Sequence, residues 1–114
     1  MPYIGSKVTV ELSKEKKEKL KSELGKIIAD IPGKSEKFLM VGFEDNYSLY
    51  FGGEELQYGA FVEVKVLGQV EKKYFEEITK DICNLYESEL NIPKDHIYIQ
   101  YEEVKHWGFN GFNF

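Results

Sequence analysis

A chain of 114 residues with 42% hydrophobic and 31% charged side chains can bury one modest core, and no apolar run approaches the roughly 18 residues a membrane span needs. The net charge of -5, with lysines scattered among glutamates, excludes the clustered basic face that nucleic acid requires. All 15 basic residues are lysine, so no bidentate guanidinium clamp is available, and the lone Cys83 permits neither an internal disulfide nor a Cys-x-x-Cys pair.

Met1-Pro2 opens the chain. A small second residue lets the initiator methionine be removed, which leaves Pro2 with a free secondary amine. α-Amino groups titrate near neutrality and apolar walls lower them further, so this amine is poised to act as a general base at physiological pH. Tyr3 to Val8 reads as the strand that holds it. With no apolar segment behind a basic start, the expected compartment is cytoplasmic, with unconventional secretion as the other route.

Ser13 is the expected N-cap of an amphipathic helix whose apolar residues Leu20, Leu24, Ile27, Ile28 and Ile31 recur at helical spacing. The mixed lysine and glutamate run from Lys14 to Glu23 is its solvated face. Pro32-Gly33 ends it. Phe38 to Phe43 reads as a strand, Glu44-Asp45-Asn46 as a turn, Ser48 to Phe51 as a short strand and Gly52-Gly53 as a further turn.

The same order then repeats with different residues. Ala60 to Val66 alternates, Leu67-Gly68 turns into a second helix with Tyr74, Ile78, Ile82, Leu85 and Tyr86 as its stripe, and Asn91-Ile92-Pro93 closes it. Ile97 to Glu102 is the next strand, and Trp107 to Phe114 is an aromatic, glycine-rich tail. The expected fold is α+β: one domain over residues 1–114, two β-α-β pseudo-repeats at about 2–52 and 57–109. Right-handed crossovers make a four-stranded mixed sheet with both helices on one face. The other face would carry Phe61 and Tyr98 with either Leu39, Val41 and Phe43 or Phe38 and Met40. That is too apolar for a monomer, so oligomerisation is expected.

Gly33-Lys34-Ser35 looks like the end of a phosphate-binding loop, but the glycine required five residues earlier is Ile28 and the segment follows a helix. His96 and His106 have no partners at zinc spacing, so no metal and no cofactor are expected. Cys83 reads as a small buried side chain on the second helix.

Six short motifs carry a family resemblance. Pro2 after Met1, Gly33-Lys34, Phe51-Gly52-Gly53, Leu67-Gly68, Ile97-Tyr98-Ile99 after Asn91-Ile92-Pro93, and Trp107-Gly108-Phe109-Asn110 occur in order at spacings that resemble the macrophage migration inhibitory factor (MIF) family of the tautomerase superfamily. The resemblance covers the whole chain and implies a homotrimer with active sites between subunits. It implies an isomerase, a keto-enol tautomerase of small α-keto acids such as phenylpyruvate or of dopachrome-type substrates. Pro2 matches the catalytic base. Lys34 and the backbone N–H of Leu67 match the carboxylate grip, Tyr98 and Gln100 the polar wall from the neighbouring subunit, and Phe38 and Phe109 the aromatic walls. The family commonly has asparagine in place of Gln100 and tryptophan in place of Phe109, which bears on substrate preference. The other role the resemblance implies is a cytokine-like or host-interaction protein, exported to a receptor, with a vestigial pocket.

Overall fold

A computed structural model describes all 114 residues. β1 (Pro2–Val8) leads to α1 (Lys14–Ile28), where the Ser13 hydroxyl oxygen accepts the Lys16 N–H at 3.1 Å and so caps the first turn. Leu20, Leu24, Ile27 and Ile28 are buried along one stripe of α1, joined by Ile31 just beyond it. β2 (Met40–Glu44) follows, then a hairpin of β3 (Tyr50–Phe51) and β4 (Glu54–Glu55) turned by Gly52 and Gly53, both at positive φ. β5 (Ala60–Leu67) alternates buried and half-buried residues without a break. α2 (Lys72–Leu90) stops where Asn91 takes the left-handed conformation, φ 58°. β6 (Ile97–Val104) and a terminal hairpin of β7 (Gly108–Phe109) and β8 (Phe112–Asn113) complete the chain.

The sheet order is β2-β1-β5-β6. β1 pairs β2 and β5 pairs β6 in parallel, while β1 and β5 run antiparallel at the centre. This is the tandem β-α-β arrangement expected from the two hydrophobic repeats. Ile4 and Val8 with Ala60, Val62, Val64 and Val66 meet both helices in one core of 18 buried hydrophobic residues. Tyr86 is its largest fully buried side chain, and its hydroxyl pairs with that of Ser6 at 2.5 Å, so neither is left unsatisfied. Burial pushes the Tyr86 phenol up to about 12. No helix is long and apolar enough to cross a membrane.

Several boundaries differ from the sequence reading. Glu36–Phe38 forms a 3-10 turn, with Leu39 N–H donating to Glu36 O at 3.0 Å, so β2 begins at Met40 and not at Phe38. Ser48 and Leu49 lie outside the hairpin strand. Leu90 completes the buried stripe of α2, and Leu85 is only half-buried. Cys83 is half-buried as well, and burial raises its thiol pKa.

The open face of the sheet also needs correction. Leu39, Val41 and Phe43 pack toward the core, which leaves Met40 with Phe61 and Tyr98 on the other side. Between them runs a diagonal ionic ladder: Lys7 to Glu63 at 3.7 Å, Glu63 to Lys65 at 3.8 Å, Lys65 to Glu102 at 3.7 Å. The face is therefore mixed rather than mainly apolar. The Tyr3 ring lies across Gly5 and Gly42, which pair in register; a Cβ at Gly5 would meet the Tyr3 hydroxyl at 2.4 Å. Only glycine leaves room for the ring there.

Candidate active site

Pro2 is buried at the head of β1, paired in register with Val66. Beside it opens a cleft of about 680 Å³ whose floor is Met1, Pro2 and Tyr3. Phe38, Leu39, Met40, Trp107 and Phe109 also line it, and Lys37 and Lys65 supply its charge. Phe38 and Phe109 meet edge to face, centroids 6.0 Å apart at 82°, a favoured aromatic geometry that braces the two walls against each other. Beyond them a smaller cavity of about 380 Å³ lies against Phe112 and Phe114. A second cleft of similar size, about 650 Å³, lies beside Ser13 and Asn91, but its one ammonium, Lys16, is paired with Glu89 at 3.1 Å and its other charged residue is the acidic Glu11.

The N-terminal residue sits in a corner built by two backbone turns. The Leu67 N–H donates to the Met1 carbonyl at 3.1 Å, and the Lys34 ammonium donates to the Leu67 carbonyl at 2.9 Å. Gly33 at φ 79° and Gly68 at φ 85° let the chain turn immediately beside these two residues. Burial, and then the positive charge of Lys34, lower the Met1 amino pKa from its ordinary value near 8.

Pro2, Lys34, Leu67, Phe38 and Phe109 thus gather at one end of the sheet. Tyr98 and Gln100 do not. Tyr98 pairs with Phe61, five residues along β6 from the row of Pro2, Val66 and Glu103, or about 16 Å at the usual rise of a strand. Its ring packs on Phe51 at 5.4 Å. Lys37 and Lys65 line the cleft without having been singled out in the sequence, and Trp107 and Met40 line it although the sequence reading gave them no place in the site. For Lys65 the signal was present, because strand alternation places it on the same face as Tyr3, its register partner. His96 donates its Nδ1–H to the Tyr58 carbonyl at 3.0 Å, and His106 is exposed.

The sequence profile of the macrophage migration inhibitory factor (MIF) family matches residues 1–114. Leishmania major MIF2 superposes with a TM-score of 0.93 at 32% identity, over 100% of this chain and 97% of that one. The Prochlorococcus marinus homologue of macrophage migration inhibitory factor superposes at 0.82 with 29% identity over 98% of each chain. Pt0534, in a crystal structure inactivated by 2-oxo-3-pentynoate, shares the fold at 0.83 and 15% identity over 96% of this chain and 93% of its own. No curated protein matches the sequence.

Proposed function

We propose that this chain, which belongs to the macrophage migration inhibitory factor family, is a keto-enol tautomerase of α-keto acids such as phenylpyruvate, with Pro2 as general base once Met1 is removed. The observation that carries this reading is the head of β1, where Pro2 lines a cleft walled by aromatic rings and, beside it, the Leu67 N–H donates to the Met1 carbonyl and the Lys34 ammonium to the Leu67 carbonyl. Removing Met1 frees the Pro2 nitrogen and the Leu67 donor together. Pro2 lies deeper than Met1, so the burial that already lowers the Met1 amine acts more strongly on a Pro2 amine, beside the same lysine.

The neutral amine takes the proton from the carbon α to the ketone. The electron pair of that C–H bond moves into the enolate, and the proton is then delivered to the enolate oxygen; the reverse direction uses the same groups. Lys34 and the Leu67 N–H hold the neighbouring carboxylate and offset the second negative charge as it develops. Tyr98 and Gln100 enter this site from a neighbouring copy in a homotrimer, since their own chain holds them about 16 Å and about 10 Å away along the strands.

The test is the enol absorbance of phenylpyruvate in the presence of protein lacking Met1, with 2-oxo-3-pentynoate as a label. Turnover that ceases when the label is found on Pro2 supports the reading. Turnover that survives stoichiometric labelling of Pro2 overturns it.

A further inference from the structure

We infer that the substrate of the Pro2 cleft carries a second anionic group, received by Lys37 and Lys65, so that the ligand class is an arylpyruvate with an anionic ring substituent. This rests on the tautomerase reading above and adds to it the distal end of the substrate. The first argument is a local reversal of charge. The chain carries 20 acidic and 15 basic residues, yet the residues lining this cleft include two lysines and no aspartate or glutamate. A cleft lined by one sign of charge concentrates ligands of the other.

Lys37 is also unspent. No carboxylate lies within ion-pair distance of it, and its ammonium stands 5.4 Å from the centroid of Phe38, the ring that forms a wall of the cleft. Glu36, the adjacent acid, is turned away: its carboxylate lies over Gly25 of α1, where a Cβ would approach it at 2.5 Å. Lys65 is held only loosely, at 3.8 Å from Glu63 and 3.7 Å from Glu102, with 39% of its side chain exposed. Neither lysine is needed for the α-carboxylate, which Lys34 and the Leu67 N–H already accommodate. A singly charged substrate would leave the Lys37 ammonium without a counter-ion and Lys65 held only by its two long contacts to Glu63 and Glu102. Phe38, Trp107 and Phe109 favour an aromatic spacer between the two anions over a flexible aliphatic one.

The experiment compares kcat/KM for 3-(4-carboxyphenyl)pyruvate and phenylpyruvate at low and high ionic strength. Solvent-exposed charge contacts of this kind are each worth about two- to fivefold, so the protein should favour the dianion by about fivefold or more at low salt. That ratio should approach one in about 0.5 M salt, where charges are screened within a few ångströms. Lys37→Gln and Lys65→Gln should each lower the ratio about two- to fivefold, whereas Lys19→Gln, on the exposed face of α1, should leave it alone. A ratio near one at low salt, or one that neither cleft substitution changes, overturns the second anion site while the tautomerase reading stands. If neither compound is turned over, the tautomerase reading fails on its own. Calorimetric binding of benzene-1,4-dicarboxylate against benzoate then decides the subsite: equal affinities, or a preference insensitive to Lys37→Gln, overturn it.

Discussion

In the proposed reaction Lys34 holds the carboxylate and Pro2 moves the proton, so their variants should fail in different ways. Lys34→Ala removes a charge-assisted contact made in ground and transition states alike, so KM should rise about tenfold or more with a smaller change in kcat. Pro2→Gly keeps an amine but loses its basicity and rigidity, and should lower kcat by about a hundredfold with little change in KM. Steady-state kinetics separates the two. If the neutral Pro2 amine is the active form, the rate of the parent protein should rise with pH, with a midpoint below the ordinary α-amino value of about 8 because burial and Lys34, which lower the Met1 amine, surround the next residue as well. Deeper in the core, Tyr86→Phe leaves the Ser6 hydroxyl buried without a partner and should cost about 1–2 kcal/mol in a denaturant titration. The sign of the pH dependence also follows. Tyr86 and Tyr101 both have phenols raised from the ordinary 10 to about 12, so the stability they contribute is intact below pH 10 and is lost as pH rises through about 12. Thermal melts across that window should fall steeply for the parent and less steeply for Tyr86→Phe. At this scale the sequence was uneven. Pro2 and Lys34 were visible as residue types in a motif, but the bond from the Leu67 N–H to the Met1 carbonyl depends on strand register that no local pattern encodes.

α1 and the terminal hairpin make opposite points about what a local pattern can tell. Gly25 lies inside α1, where glycine is about 1 kcal/mol worse than alanine, and an added methyl would meet only the far end of the exposed Glu36 side chain. Gly25→Ala should therefore raise the unfolding free energy by up to about 1 kcal/mol, measured as a shift in denaturation midpoint at unchanged slope. A methyl at Gly5 meets the Tyr3 ring instead, which is packed on the sheet, so Gly5→Ala should destabilise in the same assay. The Asn110-Gly111 turn, with φ of 54° and 82°, is the dipeptide preferred in two-residue hairpins, so β7 and β8 were legible in the sequence as a hairpin and not merely as a tail. Phe38 was not legible as turn: an aromatic residue beside Leu39 and Met40 reads as strand, and only the Leu39 N–H bond back to Glu36 makes it the end of a 3-10 turn.

For the whole molecule, the two hydrophobic repeats were enough to anticipate two β-α-β units in one four-stranded mixed sheet, because strand alternation and crossover handedness leave few alternatives, while the strand order β2-β1-β5-β6 came only with the structure. They were not enough to give the character of its open face, where Lys7, Glu63, Lys65 and Glu102 alternate with Phe61 and Tyr98. If Tyr98 and Gln100 serve the Pro2 site as proposed, their separation from it requires a head-to-tail contact that repeats until it closes, and light scattering on a sizing column should give about three times the 13.3 kDa of one chain. A stable monomer at micromolar concentration would remove the shared site. The ionic ladder bears on the interior of such an assembly. Its members are 3.7–3.8 Å apart and 30–54% exposed, and drying loosely paired ions costs several kcal/mol each. Three of these faces turned toward a common axis would not fuse into a fourth core. They would enclose a wet bore, and the particle would be a hollow ring, held at its rims, with water and small ions along its centre.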